Sequence, residues 1–127
     1  MANINRPTSP HLQIYRLPLT AKMSISHRAS GVLLSAGLVL TVLFLSALAG
    51  GQSSWASAQG FLSSGFGQLI LFVFTLVLNY HLCNGIRHLF WDVGCGYSLE
   101  AADLANKVVL GAAAGLTLLV WIMALAA

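Results

Sequence analysis

Three apolar runs, at about 29–49, 66–90 and 108–126, leave this chain few ways to fold. Each approaches the ~20 residues that an α-helix needs to cross the hydrocarbon core of a bilayer. A spanning segment must satisfy its own backbone hydrogen bonds, which an open sheet cannot do in lipid. Only 7% of the residues are charged, against about 25% in soluble domains, so the surface faces lipid rather than water. The expected fold is all-α: a single integral membrane domain over residues 1–127 with three transmembrane helices.

The formal charge of +3 does not mark a nucleic-acid footprint, because the basic residues are sorted by position. Arg6, Arg16, Lys22 and Arg28 precede or open the first run, and Arg87 and Lys107 flank the turn between the second and third. The 50–65 loop and the C-terminal end carry neither Lys nor Arg. With three spans, the N-terminus and the second loop share a side. All six basic residues then lie together, and that side is expected to be cytoplasmic.

Residues 1–21 hold all three prolines and lack the apolar core of a signal peptide. Nor do they form the amphipathic Arg-rich helix of a transit peptide. An extended or short interfacial arm is expected, with Tyr15 and Leu17 at the membrane surface, and a bacterial inner membrane is favoured over a mitochondrial one. Residues 50–65 read as an uncharged Gly/Ser-rich connector, with Trp55 and Phe61 at the outer interface. Residues 92–106 read as a loop in which Asp92 pairs with Arg87 or His88, while Glu100 and Asp103 suit a helix N-terminus. Cys83 and Cys95 have no metal-type spacing and are expected to be structural. The last run, with GAAAG at 111–115, is expected to serve packing, with Trp121 anchoring its outer end.

Chemistry concentrates in two stripes. In YHLCNGIRHLFWD (80–92), His81, Asn84, Gly85, His88 and Asp92 share one helical face. At about 1.5 Å per residue, His81 sits roughly 9 Å deeper than Arg87. An ionisable side chain at hydrocarbon depth implies function, and Gly85 leaves room for a flat cofactor against the backbone. The stripe is expected to form one wall of a haem pocket, with His81 as an axial ligand. In TAKMSISHRASG (20–31), extended to Ser35, the residues Ser24, His27, Arg28, Gly31 and Ser35 share a second face. Its hydroxyl, imidazole and guanidinium suit an acidic group, a quinone oxygen or an anionic propionate. The plainer reading has Arg28 snorkelling to headgroups and Ser24 capping the helix. His27, Arg28, Arg87 and His88 are candidates to neutralise propionates. Only one histidine lies deep, so a partner chain is expected to supply the second ligand of a six-coordinate haem.

The blocks RPTSPHLQIYR, SISHRASG and HLCNGIRHLFWD, in this order, resemble the cytochrome b membrane-anchor subunits of succinate dehydrogenase, respiratory complex II. The resemblance implies an anchor that is not catalytic alone. It implies a heteromeric helix bundle shared with a second small membrane anchor, and an iron–sulfur subunit and a flavoprotein subunit as further partners. His81 matches the axial ligand of haem b, the other axial histidine coming from the partner anchor. Ser24 and Arg28 match the ubiquinone-site serine and arginine, and His27 and Arg28 match positions near the propionates. Electrons from succinate would pass through iron–sulfur clusters to ubiquinone. The competing expectations are a haem-free structural anchor of a related fumarate reductase or succinate dehydrogenase, and a proton-relay subunit. The relay ranks last, because it needs ionisable residues through the full membrane depth.

Overall fold

The computed structural model describes residues 15–126, which form four helices: α1 (Leu19–Ala49), α2 (Gln52–Ser63), α3 (Gly65–Asp92) and α4 (Leu99–Ala126). The described residues contain no strand. Three helices, α1, α3 and α4, are long and apolar enough to cross a membrane. The N-terminal arm expected over the first residues, Arg6 included, falls mostly outside the described part.

The helices overrun the apolar runs. α1 begins at Leu19 rather than at Ala29, and its 31 residues reach about 46 Å, well beyond a hydrocarbon core of about 30 Å. Its start is set by Pro18, whose extended backbone (φ −63°, ψ 159°) precedes the first turn and whose carbonyl accepts from the Lys22 N–H at 3.2 Å. α4 likewise begins at Leu99, where the Ser98 hydroxyl accepts from the Ala101 N–H at 3.1 Å. The segment expected to be a loop to Asn106 is therefore helical from Leu99 onwards. Glu100 lies in the first turn of α4, as a favourable dipole contact requires. Asp103 instead pairs with Lys107 at 2.7 Å on an exposed face.

The expected connector contains α2. Gly51, at φ +91°, turns the chain out of α1, and Ser64 ends α2 and starts α3, its hydroxyl accepting from the Gly67 N–H at 3.1 Å. α2 lies against both α1 and α3.

Cross-helix contacts fix the arrangement. Phe74 of α3 lies against Gly37 of α1, and Tyr80 donates to the Met23 carbonyl at 2.9 Å, so α1 and α3 run antiparallel. Phe72 meets Trp121 edge-on at 5.5 Å between centroids, and the Asn79 amide donates to the Thr117 hydroxyl at 3.0 Å. Arg87 donates to Asn106, so α3 and α4 are antiparallel too. α3 is the central element, with α1 and α4 as its main neighbours.

The interior is largely polar and the exterior apolar. Buried side chains include Ser30, Asn79, Asn84, Arg87, Asn106 and Thr117, whereas leucines and valines along all three long helices are exposed. Lipid removes the hydrophobic drive between helices and leaves packing and interhelical hydrogen bonds to hold them. In the GAAAG run only Ala113 is buried; Gly111 and Gly115 face open space and do not pack within this chain.

Candidate haem and quinone site

Both sequence stripes meet at the end of the bundle where α1 begins, α3 ends and α4 begins. His81 and His88 stand two turns apart on α3, and His27 of α1 inserts between them. Its ring stacks on His81 at 4.1 Å between centroids (interplanar 17°) and on His88 at 5.2 Å (30°). Gly31 helps this fit: a Cβ there would come within 3.3 Å of His81 Cε1, a tight approach. Gly85 faces His27, but a Cβ there would lie 4.0 Å from His27 Cε1, an ordinary contact. The space expected beside Gly85 for a flat cofactor is thus bordered by the His27 ring.

His81 is held by a residue that the sequence stripes left out. Ser30 is buried (4% exposed), and its hydroxyl oxygen lies 2.8 Å from His81 Nδ1. The His81 Nε2 has no hydrogen-bond partner among the described residues. Ser30 was legible in principle, being three residues after His27 and so on the same face of α1.

Arg28 and Ser24 sit one turn apart on α1, the guanidinium Nη2 donating to the Ser24 hydroxyl at 3.4 Å. Arg28 is exposed and Ser24 half-buried. Ser24 makes no cap; α1 begins well before it. Arg87 does something else. It is 4% exposed, donates through Nη1 to the Asn106 side chain and to Met23 Sδ (3.9 Å), and sits 4.5 Å from the Trp91 ring centroid. Asn106 in turn donates to the Thr20 hydroxyl at 2.8 Å. The expected pairing of Asp92 with Arg87 or His88 does not form: Asp92 is exposed and makes no ion pair among the described residues, because Arg87 points inward between the helices. His88 meets the Trp91 ring edge-on at 5.1 Å.

The donor set at this end fits a haem. An axial imidazole needs one nitrogen anchored and the other unengaged, and His81 has both. Three buried polar groups have atoms without protein partners among the described residues: His27 Nδ1, both amide atoms of Asn84, and Nε and Nη2 of Arg87. Cationic and imidazole groups cluster above His81 towards the surface, as a dianionic porphyrin edge requires.

The family model for succinate dehydrogenase/fumarate reductase transmembrane subunits matches residues 2–120. The chain belongs to that family. Among similar proteins, the succinate dehydrogenase cytochrome b556 subunit of Paracoccus denitrificans is 40% identical over 94% of this chain and 92% of its own length. The cytochrome b560 subunit of Reclinomonas americana is 40% identical over 95% and 88%. The mitochondrial cytochrome b560 subunit of Sus scrofa is 42% identical over 84% and 64%. The all-α fold with three spanning helices and the family resemblance of the motifs are both borne out. The chain is a multi-pass membrane protein and a subunit of a dehydrogenase complex rather than an enzyme by itself.

Proposed function

We propose that this chain anchors a succinate:ubiquinone oxidoreductase, holds haem b jointly with a second small anchor subunit, and forms part of the ubiquinone-reduction site. The observation that carries the reading is the gathering of His81, His27, His88, Ser24 and Arg28 at one end of the bundle. His81 would hold haem b through Nε2, together with a histidine of the partner anchor. His27, Arg28 and His88 would meet the propionates. Haem bound there supplies a one-electron redox centre. The Ser24 hydroxyl and the Arg28 guanidinium orient ubiquinone by hydrogen bonds to its carbonyl oxygen.

The iron–sulfur and flavoprotein subunits dock on this same end, where Arg16, Lys22, Arg28 and Lys107 also lie. By the positive-inside rule that end is cytoplasmic, in a bacterial inner membrane. Succinate is oxidised in the flavoprotein, and electrons reach ubiquinone through the iron–sulfur clusters. The test is Arg28→Ala in the purified complex, with succinate oxidation assayed to a ubiquinone analogue and to an artificial dye. Quinone reduction is expected to fall by about 10²-fold while dye reduction persists; for a charge-assisted pair worth about 2–3 kcal/mol this is the expected scale. Unchanged quinone reduction, or equal loss of both activities in an assembled complex, would count against the assignment.

A further inference from the structure

We infer that Ser30 is the positioning residue for haem ligation, fixing the tautomer and orientation of His81 so that Nε2 faces the iron as a bare lone pair. The inference rests on the reading of His81 as a haem ligand. A serine hydroxyl carries one hydrogen. Here it has two neighbours, the His27 carbonyl oxygen at 2.6 Å and His81 Nδ1 at 2.8 Å. A carbonyl oxygen only accepts, so the Ser30 hydrogen goes to His27. Towards His81 the Ser30 oxygen presents a lone pair, and Nδ1 must be the donor. A neutral imidazole with its proton on Nδ1 has its ligating lone pair on Nε2.

The chain of bonds runs from α1 to α3. The His27 carbonyl orders the Ser30 hydroxyl, and the hydroxyl orders the His81 proton. Gly31, beside Ser30, keeps the ring from being pushed aside. Ser30 is buried, so water does not compete for its lone pair. An Nδ1–H that donates to oxygen makes the imidazole a stronger donor to the metal. That stabilises ferric over ferrous iron, and so lowers the midpoint potential.

The test uses the complete purified complex carrying Ser30→Ala, Ser30→Thr or Ser30→Cys, with haem per complex, haem loss to excess apomyoglobin, and the midpoint potential as readouts. Ser30→Ala is expected to weaken haem retention by about 10–100-fold, the usual effect of removing an outer-shell partner, and to raise the potential. Ser30→Thr is expected to match wild type, because a helical threonine hydroxyl also bonds the carbonyl one turn back. Ser30→Cys keeps the side-chain shape with a somewhat larger atom and only weak hydrogen bonding, so it decides the matter if the alanine variant does not assemble; it is expected to raise the potential. Wild-type retention and potential in Ser30→Ala, or in Ser30→Cys where alanine fails, overturns the inference while leaving His81 as the ligand. A wild-type complex without haem overturns the parent reading and this inference together.

Discussion

Asn106 shows how much of the fold hangs on single polar side chains. Its amide accepts from the buried Arg87 guanidinium and donates to Thr20, tying α4 to α3 and α1. Asn106→Ala would leave a buried charge short of a partner. A hydrogen bond to a charged group is worth about 1.5–3 kcal/mol, so a clear fall in the complex's Tm is expected. Asn84 is the opposite case: fully buried (0% exposed), with neither amide atom bonded to the described residues. Replacing an unpartnered buried amide by an apolar group of similar size is close to neutral or stabilising. Asn84→Val is therefore expected to hold or raise the Tm of the haem-free complex, and a fall confined to the haem-loaded complex would set the amide against the haem. A fall as large as that of Asn106→Ala would show that the Asn84 amide is engaged. His81 and His88 could be placed together from the sequence, because a spacing of seven returns to the same helical face. The direction of Arg87 could not. It depends on α4 lying on the other side of α3, and the periodicity of one helix does not say where its neighbours stand.

At the scale of elements, α1 and α3 pack tightly where Gly37 faces the Phe74 ring. A Cβ on Gly37 would fall 2.7 Å from Phe74 Cε1, so one ring or one helix must move. Overpacking of this kind costs about 1–3 kcal/mol. Gly37→Ala is expected to lower Tm, and the double variant Gly37→Ala/Phe74→Leu to recover part of that loss. Strict additivity of the two changes would contradict the contact. The spans themselves were legible because runs of apolar residues report directly on lipid. Their ends were not, because α1 and α4 continue beyond the apolar runs to points set by Pro18 and Ser98. α2 was hidden for a related reason: its Ser- and Gly-rich composition has weak helical preference, and its position against α1 and α3 supplies what propensity does not.

Among the described residues, the charged and imidazole side chains lie towards one end of the bundle. Arg87, Asn106, the three stacked imidazoles and the Ser24–Arg28 pair all gather where α1 starts and α3 ends, while α2 and Trp121 occupy the far end. A chain built only to anchor its partners needs interhelical hydrogen bonds, and the Arg87–Asn106–Thr20 and Asn79–Thr117 contacts provide them. It does not need an imidazole with one nitrogen tied to a buried serine and the other unengaged. That difference favours the proposed haem-holding anchor over a purely structural one. The deciding measurement is the dithionite-reduced minus oxidised absorption spectrum of the purified complex, wild type beside His81→Leu. Wild type is expected to give b-type bands that vanish, or shift to a five-coordinate form, in the variant. A wild-type complex with no haem bands, or a His81→Leu complex with unaltered ones, would contradict the account.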